Sequence, residues 1–172
     1  MFDHEIRWPT PVAMAVLVAM CQLAAETSGL WFGFPARPDW LWGLAFHAAL
    51  RTAPGAALVA FASCGLVRDL FLGPTLGSAA IAYILVGWAV LSWRLLAVGH
   101  NILTTVLLAG VTAFLESLVR PALDYGSLAY RLMDRVFFVS MGDGLLTGAA
   151  YLPLVLILGL GPFRPWEERG GY

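Results

Sequence analysis

Five stretches of this chain carry no Asp, Glu, Lys or Arg: residues 8–25, 52–67, 70–93, 95–115 and 144–163. This pattern restricts the fold more than any other feature. A helix needs roughly 20 apolar residues to cross the hydrocarbon core of a bilayer, within a range of about 17–25, and the runs are near that length. Only 12% of the residues are charged, about half the share found in a soluble domain. A surface facing water could not be covered. The chain reads as an integral membrane protein. Barrel strands alternate apolar and polar residues over about ten positions, whereas 79-AAIAYILVGWAVL-91 is apolar on all sides. The expected fold is therefore all-α: a single domain over residues 1–172, built as a bundle of about six transmembrane helices, one of them short.

The first span is expected over residues 11–30, with Pro9 and Pro11 near its first turn and Trp8, Trp31 and Phe32 at its borders, where aromatic belts form. Asp3 and Glu5 beside Arg7 make a poor signal-peptide n-region, so this span is expected to be retained. The stretch 33-GFPARPDW-40 reads as a turn. Residues 40–50, between Asp39 and Arg51, make only about 16 Å of helix. That is short of the roughly 30 Å core unless Arg51 snorkels or the segment re-enters. Further spans are expected over 56–72, 75–96, 102–119 (ended by Pro121) and 144–160 (kinked at Pro153). Between 121 and 136, Tyr125, Leu128, Ala129, Leu132, Met133 and Val136 recur at helical spacing. This predicts an amphipathic helix, lying at the membrane interface or packed on the protein's own loops. The polar stretch 161–172 is expected to be a flexible tail.

No catalytic constellation is apparent. His4, His47 and His100 are scattered, and no HExxH, GxSxG or phosphate loop occurs. Cys21 and Cys64 lie within apolar runs and read as small hydrophobes. No metal site, cofactor or nucleic-acid partner is expected. Asp143, between Gly142 and Gly144, reads as a turn or cap residue. Six spans place Arg7, Arg51, Arg94, Arg164 and Arg169 on one side and Arg37, Arg68, Arg120, Arg131 and Arg135 on the other. The positive-inside rule returns a tie.

Charges at membrane depth are costly and point to function by default. Glu26, with Thr27 and Ser28, reads as interfacial, and Glu116 as an i,i+4 partner of Arg120 near the membrane edge. Arg68 and Asp69 are adjacent, so on a helix they point about 100° apart and need different partners. Asp69 shares its stripe with Gly65 and Gly73, and small residues mark faces where membrane helices approach closely. Asp69 is thus expected to point inward and Arg68 to snorkel. An anion in a last helical turn meets the negative end of the dipole and needs a donor. The free N–H groups of the next helix, starting at Pro74 or Thr75 after Gly73, could supply it. The alternative is a proton relay or a ligand contact at Asp69. The pairs Gly29–Gly33, Gly73–Gly77 and Gly144–Gly148 have the spacing of close-packing faces.

The stretch from Arg37 to Val90 resembles the core of the rod shape-determining protein MreD family. An entry of Arg37, Pro38 and Asp39 leads into a short apolar segment. A span then ends in Gly65, Leu66, Asp69, Gly73 and Gly77, and a long span follows; Pro74, beside Gly73, suits a first helical position. The resemblance is specific over residues 37–95 and general elsewhere. It implies a non-enzymatic protein of the bacterial inner membrane that supports cell elongation. Its partner would be MreC and, through it, the MreB filament, RodA and the elongation penicillin-binding transpeptidase. The architecture would be similar to the S components of energy-coupling-factor transporters, with both termini cytoplasmic. A vitamin-binding transporter subunit is the alternative function, and a small proton-coupled carrier using Asp69 or Glu116 is a third. The partner surface is left open among the glycine faces, the aromatic segment with Trp40, Trp42 and Phe46, and the 121–136 helix.

Overall fold

The computed structural model describes residues 17–18, 20–24, 36–72, 75–97, 102–126 and 133–159. After a helical piece at 20–24 come α1 (Trp40–Arg51), α2 (Pro54–Leu72), α3 (Ser78–Ala97), α4 (Ile102–Tyr125) and α5 (Met133–Gly159). No strand occurs among the described residues. Three segments, Pro54–Leu72, Leu103–Tyr125 and Met133–Val155, are long and apolar enough to cross a membrane. α3 has 20 residues, about 30 Å of helix. The protein is an all-α integral membrane protein.

The short segment is the centre of the bundle. Asp39 caps α1, its carboxylate accepting the Trp42 N–H at 3.0 Å, the role for which Asp is favoured. Twelve residues give about 18 Å of helix. α1 touches α2, α3, α4 and α5, and Leu41, Trp42, Gly43, Leu44, Ala45, Phe46, His47 and Ala49 are all buried. A helix apolar on every side belongs in an interior. Enclosed by its neighbours, α1 has no need to match the bilayer thickness. Trp42 lies tilted against Phe61 at 5.1 Å and meets Tyr83 edge-on at 4.9 Å, while Phe46 meets Tyr151 at 5.3 Å. Trp42 and Phe46 are fully buried. That removes them from the candidate partner surface and leaves Trp40 half-buried at its edge.

Small residues set the helix spacing. A Cβ on Gly65 would lie 2.5 Å from the Ala80 Cα, so α2 and α3 touch backbone to backbone. The Phe61 ring fills the notch that Gly87 leaves in α3. Gly144 and Gly148 of α5 face Gly110 of α4, where a Cβ on Gly144 would be 2.8 Å from the Gly110 carbonyl oxygen. Without lipid-excluding hydrophobicity to drive them together, membrane helices rely on such close contact.

Several boundaries differ from the sequence expectation. α4 does not stop at Pro121 but continues to Tyr125. Proline removes one N–H and crowds the carbonyl four residues back, yet the helix continues past it, and the end comes instead at Gly126, at φ +54°, whose N–H bonds the Ala122 carbonyl at 3.0 Å. A left-handed glycine is a common helix stop. Residues 121–136 are consequently not one amphipathic helix: 121–125 close α4, 133–136 open α5, and 127–132 lie outside the described residues. α5 begins at Met133 rather than at 144 and runs through Pro153. Asp143 is thus inside a helix and not in a turn. Its flanking glycines look like turn residues, but Gly144 is there for the contact with α4. α3 starts at Ser78, not at 74 or 75, after Gly77 at φ +97°. Gly73, Pro74, Gly29, Gly33, Glu26 and the 161–172 tail lie outside the described residues.

Gly65→Ala is expected to lower stability by about 1–3 kcal/mol, the usual cost of overpacking. Gly55→Ala, whose Cβ would meet nothing within 4 Å, should be near neutral. Unfolding of the purified variants in detergent checks the pair.

Candidate functional site

The buried charges gather at one end of the bundle, where α2 and α4 finish and α1, α3 and α5 start. Arg68 of α2 pairs with the Asp39 carboxylate. Asp39 Oδ2 also accepts the Tyr83 hydroxyl at 2.6 Å, and Arg68 Nη1 donates to the same hydroxyl at 3.3 Å. The Asp39 backbone N–H donates to Thr147 Oγ1 at 2.8 Å. One acid thus caps α1 and ties it to α2, α3 and α5. Arg68 does not snorkel: its side chain is 14% exposed and points to Asp39. A buried ion pair holds only when further hydrogen bonds fill the remaining positions, and here Tyr83 and the Trp42 N–H do so.

Asp69 takes the other direction. Its carboxylate accepts the backbone N–H groups of Gly77 at 2.9 Å, Ala79 at 3.0 Å and Ala80 at 3.2 Å. The expected bond across the turn is therefore present, shifted a few residues along because α3 starts later. The free N–H groups at the α3 N-terminus form an anion site, and Asp69 fills it from within the chain. Gly65 allows the approach and Gly77 the turn, so both serve this joint. Leu66, by contrast, is exposed on the outer face of α2. As a candidate proton relay, Asp69 has its oxygens already occupied by backbone donors.

A second joint links α4 and α5 to the entry segment. Asp143 Oδ1 accepts the Arg37 backbone N–H at 2.6 Å, and Oδ2 accepts the Ser117 hydroxyl at 2.7 Å. Glu116 and Arg120 form the expected i,i+4 pair at 3.5 Å, but deep inside: Glu116 is 1% exposed. Near the helix ends, the Thr75 hydroxyl bonds the Asp124 carboxylate. A cleft of about 290 Å³ opens between these groups, lined by Arg37, Arg68 and Arg120 and by Asp69, Asp124 and Asp143, with Gln22, Ser78 and Pro121 at its walls.

Pro38 is buried behind this entry and Arg37 is exposed at the surface. The structure thus brings Asp39, Gly65, Asp69 and Gly77 together around the α1–α2–α3 junction. Tyr83, Thr147, Ser117 and Asp143 belong to the same polar end but were not singled out for it. At the other end of α1, His47 Nδ1 lies 3.2 Å from the Tyr151 hydroxyl, apart from the charged cleft. Among the described residues no group of His, Cys, Asp and Glu has the geometry of a metal site.

Comparison of the chain with protein-family profiles, with curated proteins and with solved structures finds no match.

Asp69→Ala, which strands three backbone donors, is expected to cost about 3 kcal/mol or more, since each bond to a charged group contributes about 1.5–3 kcal/mol. Asp69→Asn keeps an acceptor oxygen and should lose less. Thermal unfolding of the two variants in detergent gives the order.

Proposed function

We propose that this protein is a membrane scaffold of the bacterial cell-elongation machinery. It would sit in the inner membrane and act by binding rather than by chemistry. An MreC-like protein would be its direct partner, with the MreB filament, RodA and the elongation penicillin-binding transpeptidase reached through it. The reading rests on the likeness of residues 37–95 to the MreD family.

One observation supports it. The middle of the bundle is occupied by a helix of the protein itself, with Trp42 and Phe46 fully buried among Phe61, Tyr83 and Tyr151. A bundle filled in this way leaves its outer surface for partners. The vitamin-binding reading calls for a pocket, and ligand pockets measure about 300–1,000 Å³. The polar cleft among the described residues measures about 290 Å³.

Affinity capture of the tagged protein from a rod-shaped bacterium, with mass spectrometry of both proteins and small molecules, tests this. An MreC-like protein should be captured, and depletion should round the cells. A co-purifying vitamin without any MreC-like protein would overturn the reading. Liposome flux that is unchanged by Asp69→Asn would remove a proton relay through Asp69.

A further inference from the structure

The polar end carries an inference that does not depend on the scaffold reading. The turns that bring polar groups to the cleft carry large apolar side chains on their outer face. On α2, Leu70 and Phe71 are exposed beside Arg68 and Asp69. On α3, Ile81 is exposed one turn from Ser78. Leu123 is exposed beside Asp124 on α4, and Met141 and Leu145 on either side of Asp143 on α5. In a membrane protein these outer side chains face hydrocarbon. The cleft is therefore polar at a level where the outside of the bundle is apolar.

Lipid tails cannot fill such a space, because charge against hydrocarbon is costly. Water can. The volume of about 290 Å³ holds several waters at roughly 30 Å³ each. The lining residues Asp69, Asp124 and Asp143 accept six hydrogen bonds from the chain. That is about half of the roughly twelve acceptor positions three carboxylates offer. Arg37 and Tyr125, both exposed, line the mouth. Asp143 lies eight residues beyond the exposed Arg135 (143 minus 135), so the cleft reaches about 12 Å along α5 below that level. Its inner end is closed. Arg68 donates to the Tyr83 hydroxyl, and behind it Tyr83, Trp42 and Phe61 are fully buried and in ring contact.

We propose that the cleft is a blind, water-filled inlet, open to one side of the membrane and closed at Tyr83. Water entering it hydrates the joints at Asp69 and Asp143 without passing through the bundle.

The test uses the full chain with Cys21→Ser and Cys64→Ala, carrying one new cysteine and reconstituted in sealed liposomes. Leu72→Cys and Val139→Cys place a thiol in the cleft wall. Leu70→Cys and Met141→Cys place one on the outer face of the same helices, two positions away. A charged, membrane-impermeant methanethiosulfonate reads access to water. The cleft thiols should react about a hundredfold faster than the outer ones, since a thiol in hydrocarbon stays protonated and the thiolate is the nucleophile. In intact liposomes each cleft thiol should label to the same fraction as Arg135→Cys, the rest reacting only after detergent is added. The two probes lie on different helices, so a variant that fails to fold leaves the other to decide. Cleft thiols that react no faster than the outer ones would overturn the inlet. Complete labelling of them in intact liposomes, with Arg135→Cys and Gly55→Cys at the two ends of the bundle each labelled in part, would overturn its closed end.

Discussion

Asp39 bonded to Arg68 is the interaction on which the rest of the bundle depends. The acid starts α1, and the same carboxylate receives Arg68 from α2 and Tyr83 from α3. Its backbone N–H reaches Thr147 of α5. α1 is too short to span a bilayer unaided, so its position must be fixed from within the protein. The interior strengthens charge-assisted bonds but penalises any that are incomplete. That explains why one carboxylate is surrounded by donors from its own helix and two others.

Asp69 solves a different problem with the same chemistry. It stands in the last turn of α2, at the unfavourable end of the helix dipole, and is compensated by the first N–H groups of α3. Asp143 repeats the pattern between α5, α4 and the entry segment. Three acids thus join the helices at one end of the bundle, and glycine contacts at Gly65, Gly110, Gly144 and Gly148 bring the helix walls together. The charges therefore do most of their bonding inside the chain.

The helices were legible in the sequence because their charge-free runs are long, and Asp69 because its stripe of glycines fixed which way it faces. Arg68 was misread because snorkelling is a property of an isolated helix, whereas its true partner lies 29 positions earlier (68 minus 39) in what looked like a turn. A Pro-Asp pair ahead of an apolar run is also a capping signal, and that was the clue to Asp39. The 121–136 pattern misled because two helix ends, cut by Gly126, can share one periodicity. Asp143 between glycines gave a local turn signal that a tertiary contact overrode. Glu116 was legible as a pair with Arg120, but its depth was not, since burial depends on how the neighbouring helices pack.

The clamp itself is tested most directly by a double-mutant cycle on Asp39→Asn and Arg68→Gln, read as unfolding free energy in detergent. Asparagine keeps the helix cap, so the cycle isolates the charge pair. Each single variant leaves an uncompensated buried charge and should lose about 3–5 kcal/mol. The double variant should lose less than the sum of the two by about 1–3 kcal/mol. Strictly additive losses would contradict a clamp between α1 and α2.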